Sequence, residues 1–323
     1  MRLLRVELTR FRSRRAIALL LLAAALLTTV VAVTTIWDTT PASAEKRAAA
    51  EAMARREADS PFYKKELARC ERNPQRYLDP TATAEDCTQM MPRAEWFMDT
   101  RTLDLAQEKD TSGAAVVVLV TALMVVVGTT FAGADWASGS VSNQLLFEPR
   151  RGRVWLAKAG AVLIGSVGAA TVLLATFWVT LYLVAESRGI PTGATVQEAI
   201  RWSAARGVVL AGAGALGAYA LTMLLRHTVG TLAALFAYAV GGEILIATLP
   251  FAGATRWSLG NNVLAWLENG HRYYDETIRC RPGQDACEQI AHLSLAHGAW
   301  FLGVLLLLGS AASVVMFRRR DLP

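Results

Sequence analysis

Six apolar runs, each about 19 to 26 residues long, alternate with polar segments along the chain: 16–37, 113–134, 159–184, 207–225, 229–249 and 296–317. At 1.5 Å of rise per helical residue, about 20 residues cross the ~30 Å hydrocarbon layer of a bilayer. The pattern predicts an all-α integral membrane protein with six transmembrane helices and both termini on one side. The first run follows an arginine-rich start and precedes Pro41-Ala42-Ser43-Ala44, which looks like a leader-cleavage site. At about 22 residues it exceeds the ~7 to 15 apolar residues of a secretory leader, so it reads as a retained span.

Charge orients the six spans. Segments 1–15, 135–158, 226–228 and 318–323 carry 14 Lys and Arg against 4 Asp and Glu, whereas the opposite segments carry 19 against 22. Basic segments stay in the cytoplasm, which predicts a multi-pass protein with cytoplasmic termini. The 38–112 segment is exempt from that count because loops beyond about 60 residues cross regardless of charge. The net charge of +6 thus reflects topology and contact with anionic lipid, and no pattern argues for nucleic acid.

The polar segments have structure of their own. Leu4, Leu8 and Phe11 recur at helical spacing with arginines around the other face, predicting an interfacial helix over 1–15. The same arginines also serve as a topology signal, and the two readings are compatible. In the 38–112 extracytoplasmic loop, Ser60-Pro61 predicts a helix start, Asn73-Pro74 its stop and Thr83 a second start. Ala48, Ala49, Ala52 and Met53 suggest the apolar face of another helix nearer the membrane. All four cysteines fall on the outer face, where disulfides persist. Of three pairings, proximity favours Cys70 with Cys87, stapling a helical hairpin, and Cys280 with Cys287 around the Arg281-Pro282-Gly283 turn. In segment 250–295, residues 257–267 form an apolar stretch too short to cross. It serves either as a lip over an outward opening or as an aromatic belt.

Chemistry is sparse. The chain has no Gly-x-x-x-x-Gly-Lys-Ser/Thr, His-Glu-x-x-His or Cys-x-x-Cys pattern, and its four histidines lack metal-ligand spacing. Gly212-Ala-Gly214-Ala-Leu-Gly217 matches a dinucleotide fingerprint by letter, but it falls in a span, where small residues serve close helix packing. Glu243 is the charged residue expected inside a span, either on a translocation pathway or hydrogen-bonded to a neighbouring helix.

Between the second and third spans the chain carries Asp135, Gly139-Ser140, Leu145-Leu146, Pro149, Arg150-Arg151 and Lys158. This loop, with the six-span layout, the basic N-terminus, the short Arg226-His227-Thr228 turn and the Phe317-Arg-Arg-Arg end, resembles the ABC-2 type permeases. Asp135 and Ser140 stand where that family commonly has glutamate and threonine, and the long cysteine-bearing loops are not general to it. A short helix over 140–147 presents Val141, Leu145 and Leu146 on one side, ended by Pro149. The resemblance implies that this is a coupling helix seated in a cytoplasmic ABC ATPase. Asp135, Gly139, Arg150 and Arg151 then belong to the same coupling element. It further implies an exporter without catalysis or cofactor of its own, paired with a second permease, itself by preference. Two ATPases would hold ATP and magnesium. The alternative is a mechanotransmission or signalling subunit whose 38–112 loop acts on an extracytoplasmic partner.

Overall fold

The computed structural model describes residues 2–78, 82–98, 101–249, 251, 253–275 and 289–319. In chain order its helices are α1 (Arg2–Ser13), α2 (Arg15–Asp38), α3 (Ala44–Ala58), α4 (Pro61–Arg72), α5 (Pro74–Tyr77), α6 (Leu105–Asp110) and α7 (Ser112–Ala137). They continue with α8 (Ser140–Phe147), α9 (Arg151–Ser187), α10 (Ala194–Leu225), α11 (Thr228–Ala237), α12 (Glu243–Thr248), α13 (Leu259–Leu267) and α14 (Leu295–Arg319). Two short strands, β1 (His271–Tyr274) and β2 (Ile290–Leu293), pair antiparallel. Six stretches are long and apolar enough to cross a membrane: Arg15–Asp38, Leu105–Ala137, Arg151–Ser187, Ala194–Leu225, Thr228–Thr248 and Leu295–Arg319. The chain has the build of an all-α, multi-pass membrane protein.

The chain divides into two compact units, Met1–Val33 with Leu105–Pro323, and Thr34–Asp104. In the first, α10 is the central helix, and its small residues explain why. A Cβ on Gly212 would meet Val167 of α9 at 2.7 Å, and one on Gly214 would meet Val125 of α7 at 3.1 Å. Gly217 faces Leu306 of α14. The glycine cluster therefore serves helix packing, as expected of small residues in a span. The N-terminal end of α9 meets the C-terminal ends of α10 and α14. Tyr219 Oη donates to the Trp155 carbonyl at 3.0 Å, and Trp155 Nε1 donates to Ser313 Oγ at 3.1 Å.

Helices outrun the apolar runs at several ends. α9 begins at Arg151 and α10 at Ala194, because polar residues of good helix propensity carry each helix past its apolar core. The fifth span is broken by a π-turn over Tyr238–Gly242, and among its described residues only Thr231 is buried. Arg226 ends α10 in the left-handed conformation (φ 60°), and His227 starts α11 as its N-cap, Nδ1 accepting from Gly230 N at 3.0 Å.

The apolar face of α1 docks on α9. Phe11 is buried, and a Cβ on Gly165 would strike its ring at 2.4 Å; Leu4 approaches Gly160 in the same way. The two glycines, five residues apart, cut a groove into α9 that the amphipathic face of α1 fills.

In the Thr34–Asp104 unit, Ser60 caps α4 with Pro61 at its first position, Asn73 ends it, and Thr83 with Asp86 forms a capping box that opens the 3₁₀ helix Ala84–Met90. Cys70 and Cys87, both fully buried, form the expected disulfide between these two helices. α3 forms where expected but buries Ala50 and Ala54, while Met53 is exposed. The helix turns a different alanine stripe inward because α3 is alanine-rich on nearly every side. Cys280 and Cys287 lie outside the described residues.

Closing a 17-residue loop between Cys70 and Cys87 corresponds to about 3 kcal/mol of chain entropy removed from the unfolded state. Replacing both cysteines with serine should therefore render the Thr34–Asp104 unit protease-sensitive while the spans stay protected, as read by limited proteolysis of the whole chain in micelles.

Candidate functional site

The most polar site inside the helical bundle is built from four separate elements. Glu7 comes from α1, Arg14 from the break between α1 and α2, Asp135 from the last turn of α7, and Lys158 from the first third of α9. Glu7, Asp135 and Lys158 have no solvent exposure, and the Arg14 side chain is 22% exposed. Lys158 Nζ bonds both carboxylates, reaching Glu7 Oε2 at 3.1 Å and also contacting Asp135 Oδ2. Arg14 pairs with the other Asp135 oxygen and donates to the Phe131 carbonyl. Its guanidinium lies 4.8 Å from the centre of the Phe131 ring, and Lys158 Nζ lies 5.6 Å from it. Phe11 packs on the same ring at 5.6 Å between centroids.

Lys158 and Arg14 face the two carboxylates, and Arg10 of α1 reaches Glu7 Oε1 at 3.5 Å from the partly exposed edge; this pairing is what makes the burial tolerable. Removing an ion from water costs several kcal/mol, so each charge needs a partner and each carboxylate oxygen a donor. Here both oxygens of both acids are satisfied. Two further donors come from α8: Ser140 Oγ reaches Asp135 Oδ1 at 3.0 Å, and Gln144 Nε2 reaches Glu7 Oε1 at 2.6 Å. The cluster thus clamps α8 to α1, α7 and α9.

α8 spans the eight residues expected of it. Gly139 precedes it with φ +67°, a left-handed turn that lets the chain reverse between α7 and α8 without a Cβ penalty. Val141 is fully buried within the chain, so it anchors α8 and is withdrawn from the outward face assigned to it. Leu145 is half-buried. Leu146 at 81% and Phe147 at 90% exposure form the outward tip. Pro149 and Arg150 are exposed beside that tip, and Arg151 opens α9 half-buried. Asp135 is equally withdrawn from any partner, being the hub of the cluster.

Glu243 is half-buried, and its Oε1 accepts from Gly260 N at 2.9 Å, in the first turn of the neighbouring helix α13. Ser258 Oγ caps the adjacent Asn261 N at 3.0 Å, so a carboxylate and a hydroxyl together satisfy the start of this amphipathic helix. The π-turn just before Glu243 adds a residue and turns the carboxylate toward α13. The fully buried charges in continuous membrane-length helices are instead Asp135 and Lys158.

Glu7, Arg14 and Lys158 went unassigned in the sequence, yet one signal was available. Glu7 falls on the apolar stripe of Leu4, Leu8 and Phe11, the wrong face for a solvated acid, and that position implies a buried cation opposite.

Lys158→Met leaves Asp135 with Arg14 and Glu7 with only the partly exposed Arg10, and should destabilise the bundle by about 3 to 5 kcal/mol. Adding Glu7→Gln restores charge balance around Asp135 and Arg14, so the double variant should unfold at a higher temperature than the single. Thermal unfolding of the four proteins of this cycle in micelles gives the coupling, and additive effects would show that Lys158 and Glu7 do not interact. No protein-family model, curated protein or solved structure matches this chain.

Proposed function

We propose that the chain is the membrane-embedded permease subunit of an ATP-driven exporter of the ABC-2 type. It would reside in a bacterial plasma membrane with both termini in the cytoplasm, where the 14 basic residues of the four short segments outnumber 4 acidic ones. Two copies would pair, each engaging one cytoplasmic ATPase that holds ATP and magnesium. The fifth span supports pairing because almost none of it is covered by the rest of the chain.

The observation that carries this reading is α8, an apolar tip of Leu146 and Phe147 mounted on a buried charge cluster. Such a tip suits an apolar groove on a soluble partner. Its mounting suits force transmission, because displacement of α8 pulls on Ser140 and Gln144 and through them on Asp135 and Glu7. The movement would then reach α7, α9 and α1 together, and with them a pathway at the interface of the two copies.

A second reading is favoured by the Thr34–Asp104 segment, a compact, disulfide-stapled unit of its own. In that reading the ATPase stroke is delivered through α2 to an extracytoplasmic partner, and no cargo crosses. Vesicle transport driven by ATP supports export, whereas hydrolysis that responds only to an added external partner supports transmission.

Leu146→Asp with Phe147→Asp should release the ATPase from complexes purified out of native membranes and leave the thermal unfolding of the chain unchanged. Two carboxylates entering an apolar groove cost several kcal/mol, which corresponds to a loss of at least about tenfold in association. Arg150→Ala should lose less, since an exposed ion pair contributes about 1 kcal/mol or less. Undiminished ATPase retention and stimulated hydrolysis in the double aspartate variant would contradict the coupling role of α8.

A further inference from the structure

At the end of the bundle away from the charge cluster, a cleft of about 390 Å³ opens between α6, the start of α10 and the end of α13. Glu198, Trp202 and Arg206 line it from one face of α10 at i, i+4 and i+8, which spans about 12 Å along the axis. Lys109 and Glu268 line it from the neighbouring helix ends. Of these charges, Lys109 pairs with Asp110, and Glu268 bonds His271 Nδ1 at 2.7 Å. Arg206 has no carboxylate partner among the described residues; its Nη1 donates to the Leu267 carbonyl at 3.1 Å. Glu198 is exposed and likewise has no ion pair among the described residues. Trp202 is 59% exposed between the two.

We propose that this cleft binds the headgroup of a zwitterionic aminophospholipid. The cleft holds two cations and two anions, so a simple anion would meet repulsion from Glu198 and Glu268, and a simple cation from Lys109 and Arg206. A dipolar group satisfies both open ends at once. The order of residues matches the order of charges in a lipid. Arg206 adjoins the apolar run of α10 that starts at residue 207, at the depth of the phosphate, and Glu198 lies two turns farther out, at the depth of the ammonium. Helical side chains tilt toward the helix N-terminus, here the outward direction, so Arg206 extends its guanidinium away from the hydrocarbon toward the cleft. Trp202 offers a ring face to the ammonium at the level where tryptophan partitions in bilayers.

The test is delipidation of the whole chain in micelles, followed by titration with dioleoyl-phosphatidylethanolamine and dioleoyl-phosphatidylglycerol, read by native mass spectrometry. The wild type should hold the ethanolamine lipid at least about threefold more tightly, the scale of one partly exposed ion pair with an aromatic contact. Glu198→Gln, at an exposed position, should erase that preference, and Trp202→Leu should reduce it. Glycerophosphoethanolamine separates a lipid site from one for a soluble phosphoester: competition by this chain-free headgroup at equal concentration would reassign the ligand to soluble zwitterions. Equal affinity for the two lipids in the wild type, or a preference unchanged by Glu198→Gln, would overturn the proposal.

Discussion

Lys158 holding Glu7 and Asp135, all three closed off from the protein surface, is the contact on which the arrangement of this bundle end depends. A buried ammonium is unfavourable by several kcal/mol unless it is surrounded by acceptors, and the acceptors here come from two other helices. Any separation of α1 or α7 from α9 strands a charge in an apolar setting. The cluster therefore fixes position strongly even where its net contribution to stability is small, since its attraction offsets a desolvation cost of similar size. Arg14 extends the same logic to the α1–α2 break, which is held to α7 through both the Asp135 carboxylate and the Phe131 carbonyl.

Packing and charge divide the work between them. Glycines and alanines along α10 bring α7, α9 and α14 close enough for dispersion contacts to hold the spans, and Gly160 and Gly165 do the same for α1 on α9. Those contacts are apolar and set how near the helices lie. The ion cluster selects one register among the many such packing permits. α8 is joined to the bundle by Val141 and by two hydrogen bonds to cluster carboxylates, leaving Leu146 and Phe147 outside.

Much of this architecture was legible in the sequence because its signals are local. Span length, the Ser60-Pro61 start, the Thr83 start and the extent of α8 all depend on a few consecutive residues. What was not legible depends on which faces meet. Val141, Leu145 and Leu146 share a side of an isolated helix, yet the fold buries the first and exposes the last. Glu243 is expected on a pathway or bonded to a neighbouring helix, and only the fold shows that the helix it bonds is α13. Glu7 and Lys158 are 151 residues apart, and their partnership is hinted at only by an acid on an apolar stripe.

The central claim is that α1 and α8 are held by one shared charge hub. Hydrogen exchange on Asp135→Asn, which keeps the side-chain shape and removes its charge, addresses it directly. If the hub holds both elements, amides of α1 and α8 should lose protection together while the interior of α10 stays unchanged. Loss confined to α7, or protection of α1 and α8 equal to wild type, would contradict it.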